Sequence, residues 1–281
     1  YRTVGDEHRE AISLLNLSAV AEQRGAVGEA IARAAEARTI AERIGSDMYE
    51  AFALSHLGSA AHLAGDLDRA ERFLTDALDG LDALGADTRC AMVTAILAEV
   101  AIDRGDLPEA GRRIERTASL LDDHAGRKRL AELDRVRGRL ALARGDADAA
   151  ATALESAVES ARAGGFTQVE AQALASLGAA AAERGDALAA AERLTAALDL
   201  GRRIEDALAT ASAADRLADL LSGSAAGAEP IDSEALTGAL LEAPPEAVPA
   251  ESAADSAAYR EIADRWRVDG DGVAAAYPAL G

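Results

Sequence analysis

Residues 57–78 read Leu57-Gly58-Ser59-Ala60-Ala61-His62-Leu63-Ala64-Gly65-Asp66-Leu67-Asp68-Arg69-Ala70-Glu71-Arg72-Phe73-Leu74-Thr75-Asp76-Ala77-Leu78. The stretch changes character at Gly65. Before it, and from a little upstream, apolar residues recur near helical spacing at Phe52, Leu54, Leu57, Ala61 and Leu63. Gly65 closes that helix, because a residue without a Cβ enters the left-handed region freely. Asp66 opens the next helix, where first-turn N–H groups want an acceptor. Leu67, Ala70, Phe73, Leu74, Ala77, Leu78 and Leu81 then form a second stripe, which ends at Gly85. The spacing predicts helices over 48–64 and 67–84. So short a connection makes them antiparallel neighbours.

The same punctuation recurs through the chain. Gly25, Gly65, Gly105, Gly145 and Gly185 are forty residues apart, and Asp66, Asp106, Asp146 and Asp186 follow the last four. Ala30, Ala70, Ala110, Ala150 and Ala190 come five residues after each glycine. Ala34, Leu74, Ile114, Leu154 and Leu194 come four residues later again. Eight residues before each glycine stand Leu17, Leu57, Leu97, Arg137 and Leu177, so Arg137 is the exception. A fixed period of this length marks a stacked array of supersecondary units. The recurring alanine falls where the two helices of a hairpin cross, and a larger side chain would push them apart.

These residues resemble the tetratricopeptide repeat. Leu57-Gly58, Gly65, Ala70, Leu74 and Ala77 match its signature, as do Leu177-Gly178, Gly185, Ala190, Leu194 and Ala197. The fourth repeat keeps Gly138, Gly145, Ala150, Leu154 and Ala157, while Ser18 and Ala98 replace the first glycine in repeats one and three. The usual terminal proline and the large first-helix aromatics are missing. A period of forty looks like the variant in MalT-like and AfsR-like bacterial regulators and in kinesin light chains. The resemblance implies an all-α fold: a right-handed superhelical solenoid of antiparallel hairpins, about 5.5 repeats over residues 6–222, with a C-terminal helical cap.

It also implies a binding wall formed by the first helices. Mapped onto this chain, the inward positions include Asn16, Glu22, Phe52, Ser55, His56, Ser59, His62, Met92, Glu99, Ile102, Arg135 and Arg139. Such a wall is expected to hold a protein or peptide, or a small ligand, as the sensor or scaffold part of a larger signalling or transcription-regulatory protein. The alternatives are a stand-alone assembly scaffold, with self-association allowed, and an accessory region of an enzyme. No catalytic residue is expected. Neither is a cofactor nor a metal: His56 and His62 are six apart, and a helical metal pair needs four.

Composition bounds the partner. The formal net charge is −20 over 281 residues and aromatics are 3%, so alanine and leucine must build the core. A surface this acidic disfavours direct contact with nucleic acid or an anionic membrane. A lone cysteine, Cys90, forms no internal disulfide, which suits a reducing, cytoplasmic setting. No apolar run approaches the length of a membrane span.

Several smaller motifs read as structure. Arg104-Gly105-Asp106, Arg144-Gly145-Asp146 and Arg184-Gly185-Asp186 are inter-helix turns by their period. Asp122-Asp123-His124 closes a helix, and Asp269-Gly270-Asp271-Gly272 is a turn. At the N-terminal edge, Gly5-Asp6 lies forty residues before the Gly45-Ser46 junction, so residues 1–5 are expected to end a preceding repeat. At the other edge, 206–221 reads as a sixth first helix. Residues 223–252 read as a linker with a degenerate helix over 232–242, interrupted by Pro244, Pro245 and Pro249. Residues 253–281 are expected to hold a last helix, carrying Tyr259, Ile262 and Trp266, and a tail.

Overall fold

A computed structural model describes residues 4–121, 126–222 and 255–267. Among them are twelve α-helices and no strand: α1 (Val4–Gln23), α2 (Val27–Ile44), α3 (Asp47–Leu63), α4 (Leu67–Ala83), α5 (Asp87–Arg104), α6 (Leu107–Leu120), α7 (Gly126–Ala143), α8 (Ala147–Gly164), α9 (Thr167–Glu183), α10 (Ala187–Arg203), α11 (Ala207–Leu221) and α12 (Ser256–Trp266). The quoted hairpin is α3 and α4, with each boundary within one residue of the sequence reading.

The inter-helix turns work as their residues suggest. Gly65 has φ +77°, in the left-handed region. The carboxylate of Asp66 accepts from the backbone N–H of Arg69 at 3.1 Å. Asp106, Asp146 and Asp186 cap α6, α8 and α10 in the same way. In the first turn Ala26 stands at this position and supplies no side-chain cap. Between repeats Gly45, Gly85 and Gly165 also have positive φ, whereas Glu205 takes their place before α11 at φ +55°. A side chain in that conformation costs roughly 1–2 kcal/mol, a strain the preceding glycines avoid.

Hairpin packing follows the small residues. Ala30, Ala70, Ala110, Ala150 and Ala190 are fully buried. Leu74 and Leu194, also fully buried, press on Gly58 and Gly178: a Cβ added to those glycines would stand 2.5 and 2.6 Å from the leucine Cγ atoms. The first hairpin solves the same contact with other sizes. Ser18 replaces the glycine, Ala34 replaces the leucine, and the Ser18 hydroxyl donates to the Ala30 carbonyl at 2.9 Å.

The helices group into two compact units, residues 4–121 and residues 126–222 with 255–267. Consecutive helices pack within each. The core of the first gathers Val27, Ile31, Leu57, Leu74, Leu78, Leu81, Val93 and Leu97. That of the second gathers Leu154, Leu174, Leu194, Leu198 and Leu217, together with Tyr259, Ile262 and Ala263 of α12. The last helix expected within 253–281 is thus packed on α11. Gly5 and Asp6 do not form a junction: α1 already includes them, and a glycine in a helical turn costs only about 1 kcal/mol relative to alanine. The Asp122–His124 and Asp269–Gly272 motifs and the 232–242 helix lie outside the described residues.

Candidate partner-binding face

In the first unit the wall residues come from α1, α3 and α5, and side chains bridge one helix to the next. His56 Nδ1 lies 2.6 Å from Glu22 Oε1, joining α3 to α1. His62 Nε2 lies 2.7 Å from Asp103 Oδ2, joining α3 to α5. The two histidines therefore serve different carboxylates on opposite neighbours. Their six-residue spacing turns them apart, which makes each an inter-repeat bridge.

Nearer the N-terminal ends of the same helices the face becomes aromatic. His8 meets Tyr49 edge-on at 5.6 Å between centroids, and Tyr49 meets Phe52 at 6.4 Å. The guanidinium of Arg89 sits 4.5 Å from the Phe52 centroid, a cation–π contact reaching from α5. Arg89 also approaches the Met92 sulfur at 4.0 Å. Three first helices thus share a face with an aromatic–cationic end and a histidine–carboxylate end.

The remaining expected residues are placed unevenly. Asn16 is exposed, and Ser55 and Ser59 are half-buried. The Ser55 hydroxyl turns back to the Phe52 carbonyl at 2.7 Å, so it is occupied within its own helix. Glu99 is buried, at 8% exposure. Arg135 and Arg139, both half-buried on α7, belong to the second unit. There Arg139, Glu183, Asp215 and Asp219 all lie within electrostatic reach of Arg216. Arg260 of α12 bonds Asp215 at 2.9 Å and also Asp219. The second unit therefore offers a face of alternating charge, and the first offers one of rings and histidines.

Cys90 takes no part in this face. It is fully buried, and burial together with the neighbouring Asp82 carboxylate pushes its thiol up to about 12. A thiol held neutral in this way is a packing residue and a poor nucleophile.

Sequence reasoning missed two clefts elsewhere on the units. One, of about 640 Å³, is lined by Ala51, Leu54 and Phe73 together with the charged groups of Arg38, Asp47, Glu50, Arg72, Asp76 and Asp79. The other, of about 680 Å³, places Val158, Leu174 and Leu177 among Glu155, Glu159, Arg162, Glu192 and Arg193. Leu54 and Leu174 occupy one register position three periods apart, so the same surface of α2–α4 recurs on α8–α10. Neither cleft uses a residue of the first-helix wall. The forty-residue register was the signal that could have paired them.

No described helix is long and apolar enough to cross a membrane. No curated protein matches the chain. Residues 4–83, which hold α1 to α4, match the family model of the tetratricopeptide repeat.

Proposed function

Because the chain carries a tetratricopeptide repeat domain, we propose that it is an interaction module whose first helices hold a peptide or protein segment. Repeats of this family generally mediate protein–protein contact and are typically non-catalytic. The observation that carries the reading is the shared face of α1, α3 and α5. Its cross-helix pairs, Glu22 with His56 and His62 with Asp103, keep polar groups in fixed positions beside Phe52 and Arg89. Fixed polar groups beside half-buried aromatic rings give orientation and area together, which is how a mostly apolar recognition site obtains specificity. In the second unit Arg135 and Arg139 belong to a face of alternating charge, which suits a segment that carries both signs.

A displayed peptide library tests this. Wild-type chain is expected to enrich a peptide family. Arg135→Ala with Arg139→Ala, or Phe52→Ala with His56→Ala, should then weaken one such family at least tenfold while far-ultraviolet circular dichroism stays unchanged. Failure to enrich, or affinity unaffected by both double variants, overturns the proposal. At the next level we place the module in the sensor or scaffold arm of a signalling or transcription-regulatory protein, a reading supported by the likeness of the forty-residue repeat to bacterial regulators. A phosphate-binding loop and a helix-turn-helix in the same reading frame support that assignment. A frame lacking both removes it.

A further inference from the structure

Helix α1 carries a face that its counterparts bury. In the forty-residue register Leu17 corresponds to Leu57, Leu97, Leu177 and Leu217, and each of those four is at most 5% exposed. Leu17 is 49% exposed. One turn along, Val20 is 46% exposed, whereas Ala60, Val100, Ala180 and Leu220 are buried. Ile12, at 42%, stands instead at the register of Phe52 and Met92, which are themselves half-buried.

The difference follows from what packs in front. Each of α3, α5, α9 and α11 follows a hairpin of its own unit, whose helices lie against it. Helix α2, for example, brings Ala37 into one cluster with Ala53 of α3. The other helix that leads a unit, α7, treats the position differently: it carries Arg137, exposed and paired with Asp134 at 3.0 Å. At the register of Val20, α7 carries Leu140, buried at 6% exposure, so among the described first helices α1 alone leaves both positions exposed and apolar.

We propose that the Leu17–Val20 face is a stacking seat that receives one further helix hairpin of the same forty-residue class, joined to α1 in the same polypeptide. Continuity of the packing argues for this occupant, because every corresponding face on α3, α5, α9 and α11 is covered by a hairpin of the same chain. The formal charge of −20 argues against a second copy, which would bring two acidic surfaces together.

The test adds a hairpin of known sequence, a copy of residues 46–85 placed directly ahead of Asp6, and compares melting temperature and amide exchange with the unextended chain. The added hairpin should raise the melting temperature by several degrees and slow exchange in α1 more than tenfold. Leu17→Arg with Val20→Glu should leave the unextended chain within about 2 °C of wild type and abolish the gain in the extended one. The proposal is overturned by an extension without gain or by a gain that survives the double substitution. It is also overturned if the substitution destabilises the unextended chain, since the face would then already be covered. Sedimentation showing a dimer that Leu17→Arg with Val20→Glu dissociates assigns the seat to a second copy and overturns it as well.

Discussion

At the residue scale, the Leu–Gly pair of the repeat is a steric exchange. Gly178 lets Leu194 approach to a distance that no Cβ tolerates, and the Ala190 carbonyl lies 3.3 Å from the same point. Leu194 is fully buried and has nowhere to retreat. Gly178→Ala should therefore destabilise the second unit by about 1–2 kcal/mol, overpacking outweighing the helix-propensity gain of about 1 kcal/mol. Gly28, with nothing within 4 Å of its added Cβ, is the control of opposite sign: Gly28→Ala should stabilise by a few tenths of a kcal/mol. Denaturant melts decide both. In a Leu194→Ala background the Gly178→Ala penalty should vanish, giving a measurable coupling. The Ser18–Ala34 pairing of the first hairpin is the natural form of that double change.

Among whole elements, α12 shows how a terminal helix is held without continuing the repeat. Its Tyr259 is fully buried, and burial pushes the phenol up to about 12, with Asp199 adding to the effect. Arg260 fastens the helix outside the core through Asp215 and Asp219. Tyr259→Ala should cost about 3 kcal/mol and release amide protection throughout α12, read by hydrogen exchange. The helices themselves were legible in the sequence because Gly–Asp turns and 3.6-residue periodicity are local signals. Arg137 was legible too, as a break in a leucine column, yet a column alone does not say what packs in front of it. The aromatic run from His8 to Arg89 was not legible. It depends on lateral distances between three helices, and no one helix records those. Glu99 illustrates the same limit: its register points to the wall, while its neighbours bury it.

For the whole molecule, contacts run between sequence neighbours within each unit, so stability accumulates hairpin by hairpin. Alkali should loosen both units. The Cys90 thiol and the Tyr259 phenol have folded pKa values near 12, above the ordinary values of 9 and 10. The folded state therefore holds protons that the unfolded chain has lost. Stability is unaffected at neutral pH and falls as pH climbs from about 9 towards 12, in the first unit through Cys90 and in the second through Tyr259. Urea melts at pH 7 and pH 10.5 should show that loss, and equal midpoints would refute it. The placement of two rare residues decides how such melts can be followed. The sole cysteine lies sealed in the first unit, and the sole tryptophan, Trp266, lies against the core of the second. Uptake of a thiol reagent times the opening of one, and indole emission times the other, so the native chain carries a separate clock for each half.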